Sequence, residues 1–150
     1  MDTAYKTTLE LDKVLNRAVQ LCACQETKEM MQALEPAPTI EDERYDLTQT
    51  NAINALLIKN GSPRFGSVRE VRRIVAHARK GGILSMGELL EIAATLRNFS
   101  GLSQWYGLSE HEMLPTDDLF FALAPQPVLE KQIAESILSP EEMADTASVT

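Results

Sequence analysis

The chain has 150 residues, a length that suits one domain or part of one and that can bury a substantial core. Hydrophobic residues make up 44% and aromatics only 5%, so Leu, Ile, Val, Ala and Met must build the interior, which favours helix packing over a β-sandwich. The net charge of −8 argues against a uniformly basic nucleic-acid binder and leaves open a local one.

Seven of the 14 Lys and Arg residues lie between Lys59 and Lys80, and only Glu70 opposes them, so that stretch carries +6 and the remainder −14. The two cysteines, Cys22 and Cys24, are two apart on a predicted helix, where side chains diverge, and no Cys-x-x-Cys or zinc spacing accompanies them. They read as small core or boundary residues. No signal peptide or long apolar run is evident, and a cytoplasmic location is expected, with no membrane partner.

Taken in order, Leu9 to about Cys24 is amphipathic, with Leu11, Val14, Leu15, Ala18, Leu21 and Cys22 at helical spacing and Thr8 or Asp12 as cap. A second helix is predicted over 26–34, burying Met30, Met31 and Leu34. Pro36 and Pro38 break it, and Thr39 with Glu41 and Asp42 opens a long helix to about Lys59, with Leu47, Ile53, Leu56 and Leu57 apolar. Asn60-Gly61 stops that helix.

The loop Gly61–Ser67 holds two glycines and Pro63. It reads either as an anion cradle ahead of a helix start or as a structural connection whose Phe65 plugs the core. It lacks the Gly-Lys-Ser/Thr ending of a P-loop, so ATP binding here is rejected. A helix follows over 68–80, with Val68, Val71, Ile74, Val75 and Ala78 on one face and Arg69, Arg72, Arg73, Arg79 and Lys80 on the other. Its basic face is either solvated and paired to acids or a phosphate contact. With Arg64, these five make the candidate nucleic-acid-binding set. His77 suits a surface or capping role.

Gly81-Gly82 ends the basic helix, and Ser85-x-x-Glu88 is a capping box for a helix carrying Leu89, Ile92, Ala93, Leu96 and Phe99, extending past Gly101 to Tyr106. Trp105 and Tyr106 are expected at the core edge. His111 stands between Glu110 and Glu112, but three consecutive residues share no helix face, so no metal site is read there. Residues 114–123 form a short apolar segment. Pro127 opens a final helix burying Val128, Leu129, Ile133 and Ile137, and no terminal element is predicted after Pro140. The fold class read from this pattern is all-α, an irregular multi-helix bundle. No Ser/His/Asp, Cys/His or metal grouping supports an enzyme in this chain, so no catalytic residues and no cofactor are assigned to it.

Five stretches in order resemble the N-terminal region of the bacterial MutS-II family, paralogues of the mismatch-repair MutS proteins. They are Leu9-Glu10-Leu11-Asp12-Lys13-Val14-Leu15, Ala33-Leu34-Glu35-Pro36, Gly61-Ser62-Pro63 with Gly66-Ser67-Val68-Arg69-Glu70-Val71, Arg79-Lys80-Gly81-Gly82-Ile83-Leu84-Ser85 with Glu88-Leu89-Leu90, and Ala144-Asp145-Thr146-Ala147-Ser148. Ser67 and Glu70 depart mildly from the family's glycine and aspartate, and 102–126 matches no motif. The resemblance implies that residues 1–150 are the first part of a MutS-type helical core. It implies a full-length parent that is a homodimeric, ATP- and Mg-dependent hydrolase with an endonuclease domain, binding DNA or the ribosome and its rRNA, suppressing recombination and rescuing collided ribosomes. A standalone helical module binding nucleic acid or protein through the basic helix is the alternative reading.

Overall fold

A computed structural model describes residues 10–64, 66, 69–108, 111–145 and 147. Expectations placed on Thr8, Leu9, Phe65, Ser67, Val68, Glu110, Thr146 and Ser148 lie outside the described residues. The described residues form seven helices: α1 (Leu11–Val19), α2 (Gln25–Gln32), α3 (Ile40–Asn60), α4 (Arg72–Arg79), α5 (Met86–Tyr106), α6 (Asp117–Phe121) and α7 (Pro127–Ser136). Two short antiparallel strands follow, β1 (Ile137–Ser139) and β2 (Glu142–Met143), with Ile137 opposite Met143. The chain is an all-α helical module with this one small hairpin. The hairpin was not expected from the polar sequence after Pro140. It forms because Ser139-Pro140-Glu141 makes a tight turn and the Ala144 N–H donates to the Ser136 carbonyl.

Two compact units divide at Ala37/Pro38. In the first, α1 packs on α2. Among the described residues of this unit only Leu15 is buried, and Val14, Leu21, Met30 and Leu34 are exposed, contrary to the periodicity. Two helices of nine and eight residues have a single mutual seam, which is too little surface to enclose all their apolar positions. The residue that starts α1 is Glu10, not Asp12, which sits in the first turn. Both cysteines are free and half-buried.

In the second unit, Thr39 caps α3 through its hydroxyl, which accepts from the Asp42 N–H at 3.1 Å. Ser85 and Glu88 close the predicted capping box on α5. The Ser85 N–H and hydroxyl both donate to the Glu88 carboxylate, at 2.7 and 2.8 Å, and these bonds hold that carboxyl below its usual range.

Helix α5 is the spine of this unit, and it serves two clusters. Near its start Ala93 packs with Ile133 and Ile137, flanked by Met86, Leu89, Leu90 and Ile92. Arg97 ties the same face to α7 by an ion pair to Glu130 at 2.9 Å. Val128 and Leu129, expected inside, are exposed, because α7 turns only its Ile133 face towards α5. At the far end Trp105 and Tyr106 pack with Leu56 of α3, joined by Ile53, Leu57, Leu114 and Phe120. Both aromatics are core residues, at 7% and 4% exposure, and not rim residues as expected. What allows it is satisfaction of their polar atoms.

The Tyr106 ring stacks on Phe120 at 3.8 Å, and its hydroxyl donates to Asp117 at 2.6 Å and lies 2.9 Å from the hydroxyl of the fully buried Thr116. Asp117 also accepts from the Leu114 N–H. Burial, then the bond to Asp117, raises the Tyr106 pKa above 10.0. The unfolded chain ionises first, so the tyrosine's contribution to stability is intact below pH 10.0 and is lost as pH rises through the folded value. Urea midpoints should therefore fall steeply above pH 10 in the native chain and less steeply in Tyr106→Phe. Equal slopes would show that Tyr106 ionises equally in both states.

Candidate nucleic-acid interface

Hydrogen bonds anchor the backbone at both ends of the basic stretch. At the upstream end, α3 stops at Asn60, and Gly61 adopts φ 73°. The Gly61 carbonyl accepts from the Trp105 indole N–H at 2.8 Å, and the Asn60 amide donates to the Trp105 carbonyl at 3.2 Å. Farther along, the Gly66 N–H donates to Asn98 Oδ1 at 3.0 Å. A Cβ on Gly66 would press on that Asn98 side chain, which would have to turn away and give up the bond. The loop is thus stapled to α5 at two places seven residues apart, about 10 Å along the helix.

At the downstream end α4 closes in a Schellman motif. The Gly82 N–H reaches back to the His77 carbonyl and the Gly81 N–H to that of Ala78, at 3.1 and 2.9 Å, with Gly81 at φ 81°. His77 lies on the exposed surface and takes part in this cap, as expected.

Helix α4 begins at Arg72, later than the predicted 68. Val71 starts it with no side-chain cap bond, and a β-branched residue with no cap upstream gives a weak start. Arg64 and Arg69 are consequently loop residues, whereas Arg72, Arg73, Arg79 and Lys80 belong to α4 and its C-cap. At about 100° per residue these four fall within an arc of roughly 120°, opposite the buried Ile74. All six candidate residues are exposed. Among the described residues none of the six has an acidic partner within ion-pair distance, while Lys13, Arg97 and Lys131 do. The structure therefore assembles four of the set on one helix face and supplies Arg64 and Arg69 from the connection ahead of it.

Periodicity did not reveal a second surface, an apolar cleft between α3, α5 and α6. Ile53, Leu57, Pro63, Leu102, Trp105, Leu119, Phe120 and Leu123 line it, and its volume is about 340 Å³. Its signals were the i, i+4 pair Ile53/Leu57, read as apolar positions of the long helix, and the Leu119-Phe120 step, read as part of a short apolar segment. Among the described residues no His, Cys, Asp or Glu group could hold a metal, and no helix is long and apolar enough to cross a membrane.

Such geometry defines a helical module whose distinctive chemistry is an exposed cationic face. Known proteins carry it further. The chain is 31% identical over 150 residues to Endonuclease MutS2 of Ruminiclostridium cellulolyticum, 29% over 148 to that of Lachnospira eligens and 28% over 144 to that of Clostridium beijerinckii. These alignments cover 95–99% of this chain and 18–19% of each relative. The chain is a MutS2-like family region and spans about a fifth of the length of the curated relatives it matches. No family model and no solved structure matches it.

Proposed function

We propose that this chain is the N-terminal helical core module of a MutS2-type DNA-binding ATPase and endonuclease that suppresses recombination and acts in the rescue of collided ribosomes. The observation that carries this reading is the similarity to proteins named Endonuclease MutS2 over nearly the whole chain, although it makes up only about a fifth of their length. In this reading the module does mechanical work. Nucleotide and Mg bind elsewhere in a cytoplasmic homodimer, and the packed helices relay its state. The spine α5 suits that task, because it joins two clusters through one rigid element.

The test is a transplant. Residues 1–150 replace the matching stretch of the Clostridium beijerinckii relative, and ATP hydrolysis is compared with and without duplex DNA. Hydrolysis in the chimaera within a few-fold of the parent supports the module. A folded dimeric chimaera with no hydrolysis removes it.

One specific observation favours a second reading, a module that binds nucleic acid through the basic segment whatever polypeptide carries it. Six exposed cations without acidic partners among the described residues form a surface suited to phosphates. The two readings are compatible, since the first names the machine and the second names a contact it makes.

A further inference from the structure

The cleft beside Trp105 does not end where its apolar lining ends. Ile53, Leu57 and Leu119 also line a second, wider hollow of about 610 Å³, whose other walls are Asp46, Gln49, Thr50, Asn51, Asn54 and Thr116. The two share one flank of α3. From Asp46 to Leu57 that flank is three helical turns, about 16 Å. One end of the trough is wholly apolar. The other is polar, and among the described residues Asp46 is its one charged wall residue. The adjoining first turns of α3 add Glu41, Asp42 and Glu43 against Arg44.

We propose that this trough is a docking site for an amphipathic helix of about three to four turns, which sets large apolar side chains into the Trp105 end and a Lys or Arg against Asp46. Length argues for a helix, because a trough of three turns with apolar pockets at one end matches the i, i+3/i+4, i+7 anchors of helix-in-groove recognition. Charge argues for a basic one: among the described residues neither hollow has a cation in its lining, so an acidic occupant would meet Asp46 without compensation. Nucleic acid is disfavoured for the same reason and by the apolar walls. The basic helix α4 of a second copy is a poor occupant, since its Ile74 is buried and Val75 is its one exposed large hydrophobic, short of the three anchors a groove needs. The apolar end shares Pro63 with the connection that carries Arg64, but none of the six candidate cations lines the trough, so the proposal does not depend on nucleic-acid binding.

Trp105 lines the trough and is the sole tryptophan, so its fluorescence reports occupancy. The probes are blocked helical peptides of about 14 residues. Each has Leu at i, i+3 and i+7, with two Arg or two Glu placed at either end. The Arg peptides should give a saturable Trp105 change about tenfold tighter than the Glu peptides. Leu119→Glu, at an exposed wall position, should abolish the response, and Asp46→Lys should invert the charge preference, both with unchanged far-UV circular dichroism. Any of three peptide results would overturn the proposal: no saturable change with any peptide, equal response to both charges, or indifference to Leu119→Glu. Sedimentation showing a dimer of the native chain that Leu119→Glu dissolves would also overturn it, by making a second copy the occupant.

Discussion

Replacing Trp105 by Ala should cost about 3–5 kcal/mol, a large part of the stability of a domain this size. The indole is buried with Leu56 and Tyr106, lies 6.1 Å from the Phe120 ring, and donates to the Gly61 carbonyl. Truncation removes the packing and leaves a cavity beside the existing cleft, and it also releases the loop that leads to Arg64. Urea unfolding followed by circular dichroism measures the loss. Trp105→Phe separates the two contributions, since it keeps most of the ring volume and removes the N–H, for which about 1 kcal/mol is expected. An unchanged midpoint in Trp105→Ala would mean that the residue is not a core member.

The largest functional effect is expected from Arg72→Ala with Arg73→Ala. If each side chain meets one phosphate, the slope of log affinity against log salt should become shallower by about two, one per lost contact, for a labelled duplex titrated by polarisation between 50 and 200 mM salt. Both positions are exposed, so stability should change by no more than about 0.5 kcal/mol for each. Lys131→Ala, an exposed cation on α7 that pairs with Glu135, is the control and should leave the slope alone. A native chain without salt-dependent affinity would eliminate the phosphate contact altogether. A double variant with the native slope would move it to other residues. An RNA hairpin titrated beside the duplex tells whether the surface favours one nucleic acid.

Local chemistry made much of this legible beforehand. Thr39, Ser85 with Glu88, Gly61 and Gly81-Gly82 act through bonds to neighbours in sequence, so their residue types alone foretold where α3 and α5 start and where α3 and α4 stop. Helix α5 passes Gly101 because one glycine costs only about 1 kcal/mol against twenty other helical residues. What escaped prediction depended on distant partners. Trp105 and Tyr106 are buried because Gly61 and Asp117, 44 and 11 positions away, take their polar hydrogens. Val128 and Leu129 had the right spacing for burial but no second surface to face. Of the candidate site, the cationic residues were legible as a composition anomaly. The start of α4, which separates Arg69 from the helical four, was not, because Val71 gives no capping signal.

Helix α5 has a dual allegiance, with Ala93 in one cluster and Trp105-Tyr106 in the other, on a single run of 21 residues. Neither nucleus can melt without unwinding the element that the other relies on. Heat or denaturant should therefore take residues 38–150 apart in one step, and a ligand seated at either end would stiffen the opposite end through the shared rod.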